Sequence, residues 1–275
     1  MYPMPETPPL DDAPAALLDG GHLWLLELLD GLALRFQLDA GGVVRFADER
    51  RPFAGDDPPL GYGLAVRRVR ERLDREALRA AVDDVRAVTF VGVAPVRRSV
   101  AYDWDRTPAF LGVDVWNGEA ERWLPPDRVE QVYDRLGLDP VNALRKEVRA
   151  VDFDPDRFSI PDSAWRDDPA FGALVRNKRG GRAVLSRPPD DGDDGGSESV
   201  EPQALVDAFV ADGGLDRADR GADGRRTGGA LFDRAWAGLT RERYRRFVGR
   251  EAVDPDAVRA ALATATNRYE ADGGR

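Results

Sequence analysis

The run Trp24-Leu25-Leu26-Glu27-Leu28-Leu29-Asp30-Gly31-Leu32-Ala33-Leu34-Arg35-Phe36 decides how the chain is read. Its first half is apolar on both faces, as in a strand covered from two sides. Asp30-Gly31 is a short-range hairpin signal, and Leu32 to Leu38 continues as a second strand. Val43 to Phe46 makes a third across Asp39-Ala40-Gly41-Gly42, another tight-turn sequence. Three consecutive strands predict an antiparallel sheet.

Outward from that run, Pro52 to Gly63 is rich in Pro and Gly and reads as a loop. Leu64 to Val85 is helical in pattern, with Leu78, Ala81, Val82 and Val85 on one face and Asp74 placed to cap its second half. Arg67, Arg68, Arg70 and Arg72 crowd its first half, as a solvated face or as a phosphate-binding one. Val88 to Val93 and Phe110 to Trp116 are strands rich in β-branched and aromatic residues. A helix opens at Pro125-Pro126-Asp127, with Asp127 and Glu130 as a capping box and Gly137 at its end. Asn142 to Val151, Phe171 to Val175 and Arg182 to Leu185 are further strands, the last two joined at Asn177-Lys178-Arg179-Gly180-Gly181.

Asp190 to Ser199 is nearly all Asp, Gly and Ser and predicts a linker, because such a segment buries no apolar surface. Beyond it three amphipathic segments, around Leu205 to Val210, Leu231 to Leu239 and Val258 to Tyr269, predict helices. Gly213 to Gly229 is a polar interruption. The expected organisation is a mixed domain over residues 1–189, an acidic Gly/Ser linker over 190–200 and a helical domain over 201–275.

Composition restricts the chemistry. There is no cysteine, so disulfides, thiolate metal sites and cysteine nucleophiles are excluded, and His22 is the only histidine. His22 heads an apolar strand and reads as structural. No apolar run reaches the ~20 residues of a membrane span, and the start lacks the basic end and apolar segment of a secretion signal. A soluble cytoplasmic protein is expected. Of 40 basic residues only Lys146 and Lys178 are lysine, against 50 acidic residues and a net charge of -10. Many carboxylates with little lysine suit a salt-adapted, halophilic cytoplasm, in which acidic side chains keep the surface hydrated. At 1 M salt charges are screened beyond ~3 Å, so local basic patches say more than the total.

With the strands in place, ordered blocks resemble the RNA ligases of the covalent nucleotidyltransferase superfamily. They are Leu28-x-Asp30-Gly31, Phe90-x-Gly92, Gly112 to Trp116, Gly172 to Asn177 and Gly181 to Leu185, and Arg241-Glu242-Arg243-Tyr244 resembles the accessory helical domain of some of these enzymes. Together the blocks span most of residues 20 to 270. The resemblance implies an α+β fold: an antiparallel-sheet nucleotidyltransferase (ATP-grasp-like ligase) domain with helices, followed by a C-terminal helical domain. It implies ATP and magnesium as ligands and RNA ends as partners, with no membrane and no specified protein partner. In that family a lysine attacks ATP, and the adenylate passes to an RNA 5'-phosphate before sealing.

Set against that pattern, Leu28 stands where the family has its nucleophilic lysine. Val93 stands for a nucleotide-contacting glutamate, Phe171 for a metal-associated glutamate and Val184 for a lysine on the α-phosphate. Ala33 replaces a polar residue common after the turn. The nucleotide-binding candidates that remain are Asp30, Gly31, Arg35, Asp114, Arg176 and Arg182, with Arg35 and Arg176 also able to pair with Asp30 or Asp114 across the sheet. Neither Lys146 nor Lys178 is positioned by the sequence to reach Leu28. No catalytic residue and no metal ligand is assigned. Three readings follow. The first is a ligase-like pseudoenzyme without self-adenylylation that binds nucleotide or RNA ends, or regulates. The second is an active ATP-dependent RNA ligase with relocated chemistry. The third is RNA binding through Arg241, Arg243, Arg245 and Arg246, interleaved with Tyr244 and Phe247, against a salt-tolerant helix face.

Overall fold

A computed structural model describes residues 1–55, 57–186, 201–220 and 230–273. The strands and helices in chain order are β1 (His22–Leu28), β2 (Gly31–Leu38), β3 (Val44–Ala47), α1 (Gly63–Arg72), α2 (Arg75–Ala81), β4 (Val88–Pro95), β5 (Leu111–Asn117), β6 (Arg122–Trp123), α3 (Pro126–Arg135) and β7 (Ala143–Arg149). They continue with β8 (Gly172–Asn177), β9 (Arg182–Ser186), α4 (Pro202–Ala211), α5 (Gly214–Arg220), α6 (Ala230–Glu242) and α7 (Pro255–Ala271). This is the α+β class expected, with antiparallel pairing in both of its sheets. One sheet has four strands in the order β7-β1-β8-β9, the other five in the order β3-β2-β4-β5-β6.

The division into two sheets corrects the hairpin. β1 bonds to β7 and β8, while β2 bonds to β3 and β4, so Asp30-Gly31 is a corner between sheets and not a turn within one. Gly31 is not among the residues with positive φ. A Cβ there would lie 2.5 Å from Val93 Cγ2 and 2.7 Å from the Ala94 carbonyl, so glycine is required because β4 crosses close by. The same dipeptide serves two geometries, and the local signal cannot separate them. The β2–β3 turn does behave as expected: Asp39 N–H donates to Val43 O at 2.9 Å, and Gly42 sits at φ 85°.

Alternation along the strands builds three layers. Leu34, Phe36, Leu38 and Phe90 cover one face of the five-stranded sheet and pack with Val66 and Val69 of α1, Leu78 of α2 and Tyr133 of α3. Phe36 and Phe90 stack at 4.7 Å between centroids. Leu23, Leu25, Val175 and Ala183 cover the outer face of the four-stranded sheet against Leu10 and Leu17 of the N-terminal segment. Between the sheets lie Trp24, Leu26, Leu29, Tyr102, Leu111 and Leu174.

The helical stretch expected over 64–85 is two helices, divided at the Asp74 cap. The chain leaves α1 at Leu73, and Asp74 caps α2 by accepting from Ala77 N–H at 2.8 Å. Val82 is extended, and Val85 lies in a short 3-10 turn. The helix α3 has no capping box: its N-cap is Pro125, which makes no side-chain cap, and Asp127 lies in the first turn. Gly137, at φ 75°, follows its end as expected.

The C-terminal helices bury a core of their own around Leu205, Phe209, Leu231, Leu239, Val258 and Leu262. The predicted interruption at 213–229 is helical over its first part as α5, and its remainder, 221–229, lies outside the described residues, as does the predicted linker 190–200.

Candidate functional site

Leu28 ends β1 opposite Gly172, whose own Cβ would fall 2.9 Å from Leu28 Cδ2. Beside it opens a cleft of about 540 Å³ lined by Leu28, Asp30, Arg98, Ser99, Phe171 and Arg245, among others. Two of the four positions that the sequence reading set against the family pattern, Leu28 and Phe171, therefore come together. The other two, Val93 and Val184, lie on opposite sheets and pack against the same inter-sheet apolar cluster. Trp104 and Trp165 pack there as well. The surroundings of Val93 and Val184 are hydrocarbon and indole, where a charged group would be costly to bury.

Asp30 is buried and its carboxylate is engaged. Oδ2 accepts from Ser99 N–H at 2.6 Å, Ser99 Oγ at 2.7 Å and Val100 N–H at 3.3 Å. Its backbone N–H donates to Tyr102 Oη at 2.7 Å, and burial pushes the Tyr102 phenol well above its ordinary pKa. Arg98 approaches Asp30 at 3.9 Å from a half-exposed position. Asp30 thus ties the segment 98–100 to the corner between the sheets.

Asp114, Arg176 and Arg182 form a buried ionic centre. Asp114 Oδ1 accepts from Arg176 at 3.1 Å, and its Oδ2 accepts from Arg182. Arg176 also donates to the carbonyls of Val113 (3.1 Å) and Leu124 (2.9 Å). The Arg182 guanidinium lies 5.3 Å from the Trp123 ring centroid. Burial pulls the Arg176 pKa down, opposed by Asp114. Arg182 Nη2 and Arg176 Nε are buried without a hydrogen-bond partner. One carboxylate between two guanidiniums leaves a positive charge in excess.

Arg35 does not join this group. It donates to Asp48 O at 3.0 and 2.7 Å and to Tyr2 O at 2.9 Å. The expected pairing with Asp30 or Asp114 is replaced by carbonyls, because β2 carries Arg35 toward Asp48 and the N-terminal segment.

Both lysines are held elsewhere. Lys178 pairs with Glu147 at 2.6 Å and Asp127 at 3.6 Å. Lys146 pairs with Glu130 at 2.5 Å and lies 5.0 Å from the Trp24 ring centroid. Asn177, next to Lys178, is opposite Leu23, five residues and therefore on the order of 17 Å along β1 from Leu28. The hydrogen bond to Glu147 raises the Lys178 pKa further, opposite to what an amine nucleophile needs.

The four tail arginines do not share a face. Arg241 is buried on α6 and donates to Pro95 O at 3.1 Å and to Thr107 O and Pro108 O, both at 2.8 Å. Arg243 pairs with Asp212. Arg245 reaches the cleft beside Leu28, and Arg246 is half-buried in the 3-10 turn that follows α6. A helix ending at Glu242 sends successive arginines in different directions, which the spacing alone does not reveal.

Glu27 was not singled out by the sequence. It is buried and accepts from Ser163 Oγ at 2.5 Å, Ala164 N–H at 3.1 Å and Asn142 Nδ2 at 2.9 Å. A lone carboxylate inside an apolar strand was the available signal. Among the described residues no group of three or more His, Asp or Glu side chains is arranged to hold a metal ion.

Two facing antiparallel sheets with this strand order invite comparison with solved structures. A Naegleria gruberi RNA ligase with ATP and Mn superposes at a TM-score of 0.51 and 11% identity, over 67% of this chain and 56% of that one. The same ligase with AMP and Mn superposes at 0.50 and 10%, over 68% and 56%. The fold is that of the RNA ligases. An archaeal ATP-dependent RNA ligase aligns over 96% of this chain and 63% of its own, with a TM-score of 0.49 and 15% identity. The chain thus spans less than two thirds of the length of these RNA ligases. No family model matches, and no curated protein matches.

Proposed function

We propose that this chain is an RNA-ligase-fold protein that does not adenylylate itself and acts as a nucleotide- or RNA-end-binding, or regulatory, module. In this reading residues 1–189 are the nucleotidyltransferase-like unit and 201–275 a helical accessory unit. The single observation that carries it is the apolar character of four positions at once: Leu28 and Phe171 at one cleft, Val93 and Val184 against the inter-sheet cluster. Burying an unpaired charge costs several kcal/mol (~3–5 for a broken buried pair), so a site that has lost its ligand is expected to replace such charges with hydrocarbon.

The donor set supports the same reading. Magnesium binds through one or two carboxylates with waters in octahedral geometry. At this cleft the carboxylate is Asp30, which is committed to Ser99 and Val100. Nor do the residues fit a reacting nucleotide, since Asp114, Arg176 and Arg182 are bonded to one another in the interior. The cations that line the cleft are Arg98, which also approaches Asp30, and Arg245.

The alternative, a ligase with relocated chemistry, needs an amine near Leu28, and both lysines are paired with carboxylates. Incubation with labelled ATP and Mg²⁺ or Mn²⁺ in high salt is expected to leave the protein unlabelled. A strand-joining assay with pre-adenylylated RNA bypasses the first step. Sealing there, lost in Arg182→Ala, would favour the alternative.

A further inference from the structure

A second and larger cleft, of about 750 Å³, lies between α1 and the helices α5 and α6, with the segment 104–109 along its side. It is separate from the Leu28 cleft and shares no lining residue with it. Seven arginines line it against four carboxylates, a local excess of positive charge in a chain whose net charge is -10.

Three of the four carboxylates are already matched, and the fourth, Glu71, follows Arg67 by four residues on α1. Asp139 pairs with Arg68 at 2.9 Å, Glu242 with Arg217 at 2.6 Å, and Asp105 with Arg220 at 2.9 Å. Of the other four arginines, Arg106 pairs with Asp103 and Asp167 and Arg234 donates to Ala218 O, which leaves Arg67 and Arg241. Arg67, half-buried on α1, has no hydrogen bond or ion pair among the described residues. Arg241 is only 6% exposed, yet its hydrogen bonds all go to carbonyl oxygens, through Nε and Nη2. Its Nη1 makes none. Trp104 lies against its guanidinium, 4.7 Å from the ring centroid. Burial pushes the Arg241 pKa down to about 10, which leaves it charged at neutral pH. A buried cation without a bonded carboxylate is costly to hold, and an anion in the cleft would offset that cost.

We propose that this cleft binds a small molecule bearing a di- or triphosphate, held by Arg67 and Arg241 between α1 and α6. Guanidinium forks match phosphate oxygens and form charge-assisted bonds. The volume suits a small-molecule site, which runs to ~300–1,000 Å³. Compactness follows from the charge distribution. The cleft carries a positive excess, so the rest of the chain taken together is more acidic than the total suggests. A long polyanion leaving the cleft would run onto like charge, while a short one would not.

Calorimetry of the full chain with inorganic tripolyphosphate tests this, at low ionic strength and again in 1 M KCl. The expected result is saturable binding that weakens with salt. Binding should be at least ~10-fold weaker in Arg67→Ala and lost in Arg67→Glu, both with unchanged thermal melting, and unaffected by Arg98→Ala at the other cleft. Absence of saturable heat, equal affinity in Arg67→Glu, or weakening by Arg98→Ala would each overturn it. So would a short single-stranded RNA that binds while tripolyphosphate does not. A failure of the reading at Leu28 leaves these outcomes untouched, because Arg67 and Arg241 line only the second cleft of the two.

Discussion

Two regions of the molecule concentrate arginine and treat it in opposite ways. Between the sheets, Arg176 and Arg182 are buried and bonded to Asp114, with Trp123 beside Arg182. Between α1 and α6, Arg67 and Arg241 face an open cleft with donors to spare. A charged side chain in a fold shared with RNA ligases is not thereby a ligand contact. What matters is whether its partners are already inside the protein.

That contrast can be broken most sharply at Asp114. Asp114→Ala would leave two guanidiniums buried without their carboxylate, with an expected loss of ~3–5 kcal/mol in chemical denaturation. A loss below 1 kcal/mol would mean that water or another group reaches the centre, and the inter-sheet space would then have to be regarded as open. Gly31→Ala comes next. A methyl group there meets Val93 and the Ala94 carbonyl, and an overpacked corner costs ~1–3 kcal/mol. If Gly31 instead served a hairpin turn, the penalty would come from backbone angles and a β4 variant would not relieve it. Val93→Ala in the Gly31→Ala background should recover part of the loss.

A smaller effect concerns the lysines. The hydrogen bonds from Lys178 and Trp24 hold the Glu147 pKa below its ordinary value. A lowered carboxylate stabilises the fold fully above its unfolded pKa, and that contribution is lost as pH falls through the lower, folded value. Glu147→Gln should therefore flatten the acid side of the stability profile, measured by urea unfolding between about pH 6 and 3. The smallest effect belongs to the open cleft: Arg67→Ala should change stability by no more than ~0.5 kcal/mol, since Arg67 has nothing to lose within the protein.

Much of the architecture was legible in the sequence. The strands appear at their expected places, and so do Asp74 as a cap and Gly137 as a terminator. The partition into two sheets was not legible, because Asp-Gly is the signature of a hairpin and equally the requirement of a corner where β4 passes close to Gly31. Pairing partners are set by contacts far apart in sequence, and no local pattern records them. The ionic centre was half legible. Arg176 was read as able to pair with Asp114 across the sheet, and it does, whereas Arg35 was read the same way and went to Asp48 and Tyr2. Arg241 was read with its neighbours as a surface cation, and it is instead the buried one that ties α6 to Pro95, Thr107 and Pro108. Glu27 was hidden by the apolar run that contains it.

The most direct test of the account is the intact mass of the protein after incubation with ATP and Mg²⁺ or Mn²⁺ in high salt, run beside Leu28→Lys. An unchanged mass is expected for both, because an amine at position 28 would still line the cleft with Phe171, while Val93 and Val184 supply no charge at the inter-sheet cluster. A covalent adenylate on the unaltered chain would contradict it outright.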